Sequence, residues 1–406
     1  MTSTALALRH QRTAFLVASG ISTAGSFAGL TAKGWILMAG TGHPLLLAVH
    51  FGALALPSLL VSGPAGVLTD RLGCEQVLIR AQWALLVCGV LAALAIPLLA
   101  GSLQVAVLLL SSLLAGVAST YELTARNKYT ALLVDSPDQL GGYLASFSVV
   151  FNVGKLVGPP LGGWLVAMAG PAMALAIDAA SFLIPIATLA WLVTPRRERE
   201  QRSGDGSGTS LMAAWRGCGG GLRHVLRFTA IACGVGFFHP GLAPLIAARL
   251  VGPSPQSLGL FTSVLAAGSI CGGVVLQRHS RWLSERPALL LGGSTLLSAL
   301  AQLGMAASRS SGFSLAMSFL IGMGTASLLA GANLIAQVGA PMHLRGRMAG
   351  LGQIAFLGGG GLSGVLAALL VMAIGLPATF GVLGSGGLAL GLQELWRRRS
   401  LRIRSA

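Results

Sequence analysis

The sequence predicts an all-α membrane protein with twelve transmembrane helices in two pseudo-symmetric six-helix bundles. Three observations indicate this fold: the composition, the recurrence of long apolar segments, and the distribution of basic residues. Of the 406 residues, 54% are hydrophobic and only 9% are charged, whereas a soluble domain has about 25% charged residues. Charged side chains are therefore too few to cover the surface of a soluble protein of this size. A chain that crosses lipid can satisfy its backbone hydrogen bonds only as helices or as a closed barrel.

Twelve apolar segments follow one another along the whole chain. Each is long enough to cross about 30 Å of hydrocarbon at about 1.5 Å per residue, the longer ones with some tilt. The predicted spans are 13–39, 44–68, 77–99, 103–124, 142–168, 171–194, 228–250, 256–277, 287–307, 313–336, 348–373 and 377–395.

The basic residues test this count. If the N-terminus is cytoplasmic, 23 of the 27 lysines and arginines fall in cytoplasmic segments, as expected for a membrane protein with positively charged inner loops. Arg249 and Arg309 fall in outer loops, and Lys33 and Lys155 lie within spans. A miscounted span would reverse every later loop, so we expect both termini to be cytoplasmic.

Other classes of protein are disfavoured by what the sequence lacks. The net charge of +16 is explained by the inner loops, and no basic-aromatic segment indicates a nucleic-acid partner. We find no phosphate-binding loop of an ATP-driven pump and no catalytic motif of a membrane enzyme, and we expect no cofactor. An odd number of scattered cysteines predicts neither a disulfide framework nor a metal site: Cys74, Cys88, Cys218, Cys233 and Cys271.

A polar segment divides the chain into two halves. It predicts an N-terminal six-helix bundle over 1–194, a cytoplasmic linker over 195–224, and a C-terminal six-helix bundle with a basic tail over 225–406. The stretches that begin at Ser136 and Ala340 match at an offset of 204 residues. This match indicates an internal repeat of a six-helix unit, as in many transporter folds.

The segment GPAGVLTDRLGCEQ, residues 63–76, joins the second and third spans. We expect Gly63 and Gly66 to permit close helix approach and Gly73 to permit a tight turn. The segment resembles the signature loop between helices 2 and 3 of the major facilitator superfamily at Gly66, Leu68, Asp70, Arg71 and Gly73.

This resemblance implies a cytoplasmic latch between the two halves. Asp70 would meet the amino end of helix 11, where the helix dipole favours a carboxylate. Glu122 and Arg126, at the cytoplasmic end of helix 4, would complete the charge network. Cys74 and Glu75 stand where the superfamily has basic residues, and a plain cytoplasmic salt bridge is the alternative.

Further stretches resemble a group of exporters that includes the enterobactin exporter and macrolide-efflux proteins. The resemblance runs from about Ile21 to Gly391. It implies the major facilitator fold in a bacterial inner membrane, with a siderophore or drug as cargo and a proton as the coupling ion. The stretches are YELTARNKYTALLVDSPDQL, GKLVGPPLGGWLV, IDAASFL and LRGRMAGLGQIAFLG.

Ionisable groups inside a membrane are costly, so each is a functional candidate. Lys155 lies near the middle of helix 5, where the resemblance implies a cavity-lining position and where the exporter group commonly has a basic residue. It is expected to bind an anionic group of the cargo or to change protonation during transport. The alternative is a structural bond to helix-end carbonyls or to Asp178.

Lys33 and Asp178 lie at matching depths, each about eight residues from an outer loop. We expect these two to pair, although Asp178 is also a candidate for the coupling proton. Several neutral polar side chains on helices 5, 10 and 11 are candidates for cargo contacts, with helix–helix hydrogen bonds as the alternative. They are Asn152, Asn333 and Gln353.

Glycines and prolines mark one face of helix 5. Gly154, Gly158 and Gly162 are four residues apart and predict close packing on helix 1 or on helix 8. Pro159, followed by Pro160, removes backbone donors and predicts a bend in this helix.

The function predicted from these features is secondary active export of a small organic molecule, siderophore or drug-like, by proton antiport and alternating access. The excess of cations over carboxylates within the spans favours an anionic cargo. Import of a small anionic solute by the same fold, and a membrane receptor that transports nothing, remain as alternatives. The protein is expected to act as a monomer in the lipid bilayer.

Overall fold

The computed structural model describes residues 3–133, 137–192, 215–339 and 345–397, and no strand occurs among them. The first half contains α1 (Ser3–Thr41), α2 (Pro44–Ala55), α3 (Pro57–Leu72), α4 (Cys74–Leu98), α5 (Gly101–Leu132), α6 (Pro137–Ser181) and α7 (Leu183–Ala187), followed by a π-helical turn over Thr188–Leu192. The second half contains α8 (Gly220–Gly236), α9 (His239–Leu250), α10 (Pro255–Arg278), α11 (Ser280–Ser284), α12 (Pro287–Ala306), α13 (Ser311–Val338), α14 (Arg345–Ile374) and α15 (Leu376–Trp396).

The described helices account for the predicted spans. Ten of the described segments are long and apolar enough to cross a membrane. One of them, Val149–Trp191, covers most of both the fifth and the sixth predicted spans. Leu376–Trp396 is a further helix of 21 residues at the position of the twelfth span. The prediction of an all-α membrane protein with twelve spans is therefore confirmed.

Proline and glycine determine where many of these helices begin and end. Helices α2, α3, α6, α10 and α12 each start with proline, whose missing N–H would have no partner in the first turn of a helix anyway. Gly73 has a φ of 86°, a left-handed conformation that costs glycine little. The chain therefore turns directly from α3 into α4 at this glycine.

The chain forms two compact units. The first comprises Met1–Gly42, His50–Arg202 and Ser254–Ser263, and the second comprises His43–Val49, Ser203–Pro253 and Val264–Ala406. Within the first unit α1 packs on α6 and α4 packs on α5; within the second, α12 packs on α13 and α15, and α8 packs on α14. The linker predicted over 195–224 lies outside the described residues up to position 214, and α8 already begins within its last part.

The glycine face of helix 5 packs on α1. A Cβ added at Gly158 would lie 2.5 Å from the carbonyl oxygen of Ala24, and one at Gly162 would overlap the backbone of Ala28. Of the two predicted partners for this face, the structure therefore selects helix 1. The glycines of helix 8 that were considered as partners, Gly268 and Gly272, lie against α13 instead.

The same kind of crossing recurs in the second unit. Gly359 of α14 lies so close to α8 that an added Cβ would be 2.5 Å from the carbonyl oxygen of Ala230. The crossing of helices 5 and 1 in the first unit thus corresponds to the crossing of helices 11 and 7 in the second. This correspondence is what an internal repeat of six helices would produce.

Pro159 and Pro160 lie inside α6, and the bend expected at Pro159 stays a prediction. The helix continues through Pro159 and Pro160, and the non-helical backbone angles inside Pro137–Ser181 are at Gly170, with a φ of 83°. Gly170 adopts this conformation readily because it has no Cβ. The break at Gly170 therefore separates the fifth span from the sixth, in agreement with the predicted spans 142–168 and 171–194.

Candidate functional site

Two side chains of opposite charge are buried inside the first unit. Lys33 of α1 is 6% exposed and Asp178 of α6 is 7% exposed. Lys33 lies eight residues before the end of α1 at Thr41, and Asp178 lies eight residues after the break at Gly170. The two residues therefore lie at similar distances from the ends of their spans.

The Lys33 ammonium is held by helix α5 rather than by Asp178. Its Nζ donates to Ser111 Oγ at 3.2 Å. The Ser111 hydroxyl donates in turn to the carbonyl oxygen of Leu108 at 2.8 Å, so its lone pairs are available to the ammonium. No ion pair within 4.0 Å joins Lys33 to Asp178, both of which are described. The predicted direct pair is replaced by an electrostatic interaction over a longer distance.

Asp178 lies directly against the backbone of α1. A Cβ added at Gly29 would overlap the Asp178 carboxylate, and one at Gly25 would overlap the Ser181 hydroxyl. These two glycines therefore make room for the polar face of the sixth span. Asp178 Oδ1 is buried and has no hydrogen-bond partner, which is costly for a carboxylate in a water-excluded bundle.

Lys33 and Asp178 line one small cavity inside the first unit. It has a volume of about 70 Å³, which is enough to hold more than one water molecule. Five helices contribute its walls. The remaining lining residues are Ser26, Gly29, Leu30, Leu54, Leu85, Cys88, Gly89, Ala115, Ser119 and Phe182.

His50 of α2 belongs to the same buried cluster. Its Nδ1 lies 2.9 Å from Ser112 Oγ, and the Ser112 hydroxyl donates to the carbonyl oxygen of Leu108 at 2.8 Å. Ser112 therefore accepts from Nδ1–H, which leaves Nε2 of the neutral ring as an acceptor. That Nε2 atom is buried without a partner, so the cluster contains a second unsatisfied acceptor besides Asp178 Oδ1.

Lys155 is half-buried on α6. Among the described residues its ammonium has no hydrogen-bond or ion-pair partner, so none of them provides the structural bond that was the predicted alternative. Phe147, Phe151 and Lys155 are spaced four residues apart and therefore lie along one face of α6. Phe147 and Phe151 line a second cavity in this unit, of about 270 Å³.

This second cavity combines aromatic and polar walls between α1, α5 and α6. Arg126 lies in its wall and forms an ion pair with Glu122 at 3.3 Å, both side chains being largely buried. The aromatic residues and Asn127 were not predicted as site residues, because an apolar residue in a span gives no signal beyond its hydropathy. The remaining lining residues are Ser19, Thr23, Leu123, Thr130 and Val150.

The charged residues of the loop after α3 have one partner that was not predicted. Asp70 pairs with Lys128 at 3.0 Å, a residue that the sequence did not single out, while Arg71 is exposed. A Cβ added at Gly66 or at Gly63 would meet no described atom within 4 Å, so no described helix makes the expected close approach at these glycines. Residues 340–344, which precede helix 11, lie outside the described part of the chain.

The neutral polar candidates are distributed over both units. Asn152 lies half-buried on α6. Asn333 of α13 has a buried Oδ1 without a partner, and a Cβ added at Gly352 of α14 would lie 2.5 Å from that oxygen. The side chain of Gln353 lies outside what the structure describes. Asn333 is therefore a helix-contact residue with a free acceptor.

The long apolar helices with ionisable groups inside the bundle define a polytopic membrane protein of the transporter class. A family model described as Major Facilitator Superfamily matches residues 14–364. The chain therefore belongs to the major facilitator superfamily, as the signature loop predicts.

Known relatives agree with this assignment. The chain is 28% identical over 402 residues to the multidrug efflux pump Tap of Mycolicibacterium fortuitum, a match that covers 93% of each chain. Among solved structures it is similar to the nucleoside transporter NupG, with a TM-score of 0.73, 11% identity, and coverage of 96% and 99% of the two chains. It is also similar to a POT family transporter in complex with 5-aminolevulinic acid, with a TM-score of 0.74, 11% identity, and 96% of each chain covered. At such low identity, the solved structures show the fold alone.

Proposed function

We propose that the protein is a secondary exporter of a small organic molecule, either drug-like or a siderophore, that works by proton antiport and alternating access. The observation that carries this proposal is the 28% identity to a multidrug efflux pump over 93% of both chains. We also propose that it acts as a monomer in a bacterial inner membrane. Both termini are proposed to lie in the cytoplasm, because the arginine-rich loops are then on the cytoplasmic side.

Lys155 is proposed as the cargo contact of this exporter. Its ammonium has no protein partner among the described residues, and it follows Phe147 and Phe151 along the same face of α6. Aromatic rings provide apolar contact area for an organic cargo, and a half-buried cation without a counter-charge favours a carboxylate or another anionic group.

Asn152 is proposed as a secondary polar contact for the cargo. It precedes Lys155 by three residues, which places it on the same side of α6 as the lysine. An amide offers both a donor and an acceptor, so it can complement the single cationic group of the lysine.

The charged loop after α3 is proposed as a cytoplasmic latch in this cycle. Asp70 and Lys128 join the loop to the end of α5, and the buried pair of Glu122 and Arg126 lies nearby on the same helix. The positive φ of Gly73 lets the chain turn between α3 and α4. Both residues of each pair belong to the first unit, so we propose that these pairs hold the loop in the position that the latch requires.

Import of a small anionic solute is the second candidate. The unpartnered ammonium of Lys155 favours an anionic solute whichever way it moves. The chain shares its fold with NupG, which is a nucleoside transporter. Because alternating access is reversible, this fold does not decide the direction of net transport.

The test measures transport of two probes in inside-out membrane vesicles: a macrolide without a carboxylate and a carboxylate-bearing catecholate siderophore. We expect uptake driven by an acidic vesicle interior. Lys155→Ala should lower transport of the anionic probe about tenfold, the loss of about 1.4 kcal/mol of binding free energy, with Lys155→Arg retaining most of it.

Arg309→Ala is the matched control, because it removes an exposed cation outside the spans. If the Lys155→Ala protein moves the macrolide normally and no anion is moved by the wild type, the anionic cargo is refuted. If neither probe is moved against its gradient in these vesicles but both enter right-side-out vesicles, the protein is an importer.

A further inference from the structure

We propose that the cavity between Lys33 and Asp178 is a hydrated proton-binding site inside the first unit, in which Asp178 takes up the proton and Lys33 is the fixed counter-charge. This inference rests on the proton antiport proposed above and assigns it to particular atoms.

The first argument is the unsatisfied carboxylate. Asp178 Oδ1 is buried without a hydrogen-bond partner, and the whole side chain is only 7% exposed. A buried acceptor without a partner destabilises the fold, and more so when it is charged. A proton on the carboxyl group, or a water molecule in the adjoining cavity of about 70 Å³, relieves this cost.

The second argument is the position of the counter-charge. Lys33 is held by Ser111 at 3.2 Å and forms no direct ion pair with Asp178. A directly paired carboxylate would hold its negative charge firmly and resist protonation. Separation across a cavity leaves the carboxylate stabilised enough to ionise and accessible enough to exchange a proton.

The third argument concerns what else the cavity could hold. No group of three or more His, Cys, Asp or Glu side chains that could bind a metal ion occurs in the part of the chain that the structure describes. The Lys33 ammonium already supplies a positive charge, which disfavours a second cation such as Na⁺. A proton needs no coordination shell, so it is the ion that this geometry fits.

The groups that face the site come from every helix around it. Lys33 of α1, Cys88 of α4 and Asp178 of α6 line the cavity, and α5 contributes the neutral Ser119. His50 of α2, whose Nδ1 lies 2.9 Å from Ser112 Oγ of α5, is a further titratable group of this cluster and has its own unsatisfied Nε2.

The step itself is a simple transfer. A hydronium ion in the cavity gives its proton to the Asp178 carboxylate, which becomes a carboxylic acid, and a water molecule remains. Lys33 stays an ammonium ion, so the net charge of the site rises from zero to +1. Because an unbalanced charge is unfavourable inside an apolar bundle, proton uptake favours a conformation in which the site is better hydrated.

The experiment records infrared spectra of the full-length protein in lipid nanodiscs over a range of pH. We expect a pH-dependent C=O stretching band of a buried carboxylic acid in the difference between wild type and Asp178→Asn. The corresponding difference for Glu285→Gln, which removes an exposed carboxylate, should lack this band. The double variant Lys33→Met with Asp178→Asn removes both charges and keeps the site neutral. It serves as the second test protein if the unbalanced charge in Asp178→Asn prevents that variant from folding.

The same proteins are then compared in vesicles with a macrolide as probe. Asp178→Asn should lower macrolide transport driven by a pH gradient about a hundredfold, the usual scale for loss of a proton-transfer group, while macrolide counterflow without a gradient changes little. A double variant that folds and regains gradient-driven transport would show that the pair is only structural and would overturn the inference.

The infrared measurement separates this inference from the proposed function. If wild type and Asp178→Asn have the same pH-dependent C=O bands, Asp178 is not the proton-binding group. If the band titrates and depends on Asp178, but the wild type shows no transport driven by the pH gradient, proton antiport is refuted and the proton-binding site stands.

Discussion

The two units differ in whether their buried carboxylates have hydrogen-bond partners. In the first, Lys33 and Asp178 lie within the bundle beside a cavity, and one carboxylate oxygen has no partner. In the second, the buried carboxylate of Glu394 lies near the end of α15, and both of its oxygens lie within 3.0 Å of His224 Nε2. Arg397 donates to His224 Nδ1 at 3.3 Å, so Nε2 carries the proton that Glu394 accepts.

This difference indicates separate roles for the two units. The carboxylate of the second unit is fully engaged at a helix end and stabilises the packing of α8 on α15. The charges of the first unit are buried deep in the bundle and incompletely satisfied, which is expected where a structure exchanges protons or binds a ligand. The contrast supports the proposal that ion coupling belongs to the first unit.

The largest effect should come from breaking the balance of charge in the first unit. Lys33→Met leaves Asp178 without its counter-charge and should lower the free energy of unfolding by about 3–5 kcal/mol. Combining it with Asp178→Asn should restore most of that loss. Titration with sodium dodecyl sulfate in mixed micelles measures these changes.

Glu394→Gln is the matched substitution in the second unit. It should cost only about 1 kcal/mol, because an amide oxygen can still accept from His224. Equal losses for Lys33→Met and Glu394→Gln would contradict the proposed difference between the units.

An intermediate effect is expected where the units are alike. Gly158→Ala and Gly359→Ala place a methyl group against the backbone of a neighbouring helix and should each lower stability by about 1–3 kcal/mol. Gly273→Ala is the control, because a Cβ there meets nothing within 4 Å. Thermal unfolding in detergent measures all three, and a neutral result at either crossing would show that its close approach is unimportant.

The smallest effect on stability is expected in the cytoplasmic loop. Asp70→Asn removes an ion pair whose carboxylate is mostly exposed and should change the free energy of unfolding by less than about 1 kcal/mol. If the loop is a latch, macrolide efflux should nevertheless fall severalfold, and equally in Lys128→Ala. Unchanged efflux in both variants would leave a plain surface salt bridge.

Much of the fold could be predicted because the hydropathy of each residue reflects the free energy of placing that residue in a membrane span. Every residue within a span must tolerate lipid or a protein interior, so the spans and the ionisable exceptions Lys33, Lys155 and Asp178 are visible in the sequence itself. Depth was also predictable, since the helical rise converts residue number into distance. Gly73 was predictable for a similar reason, because its conformation depends on the absence of its own Cβ.

The partners of these residues could not be predicted in the same way. Lys33 bonds Ser111, and Asp70 bonds Lys128, because of how neighbouring helices are rotated and shifted relative to each other. Nothing local in the sequence records that rotation, and serine is common in spans.

The sequence alone determined a twelve-span membrane protein of the major facilitator superfamily, with Lys33, Lys155 and Asp178 inside the membrane, because burial of a charge is costly wherever it occurs. Only the tertiary structure decided that Lys33 and Asp178 share a cavity without touching and that Lys155 has no partner among the described residues. Those facts depend on distances between helices, which are set by packing across the whole unit and by no single stretch of chain.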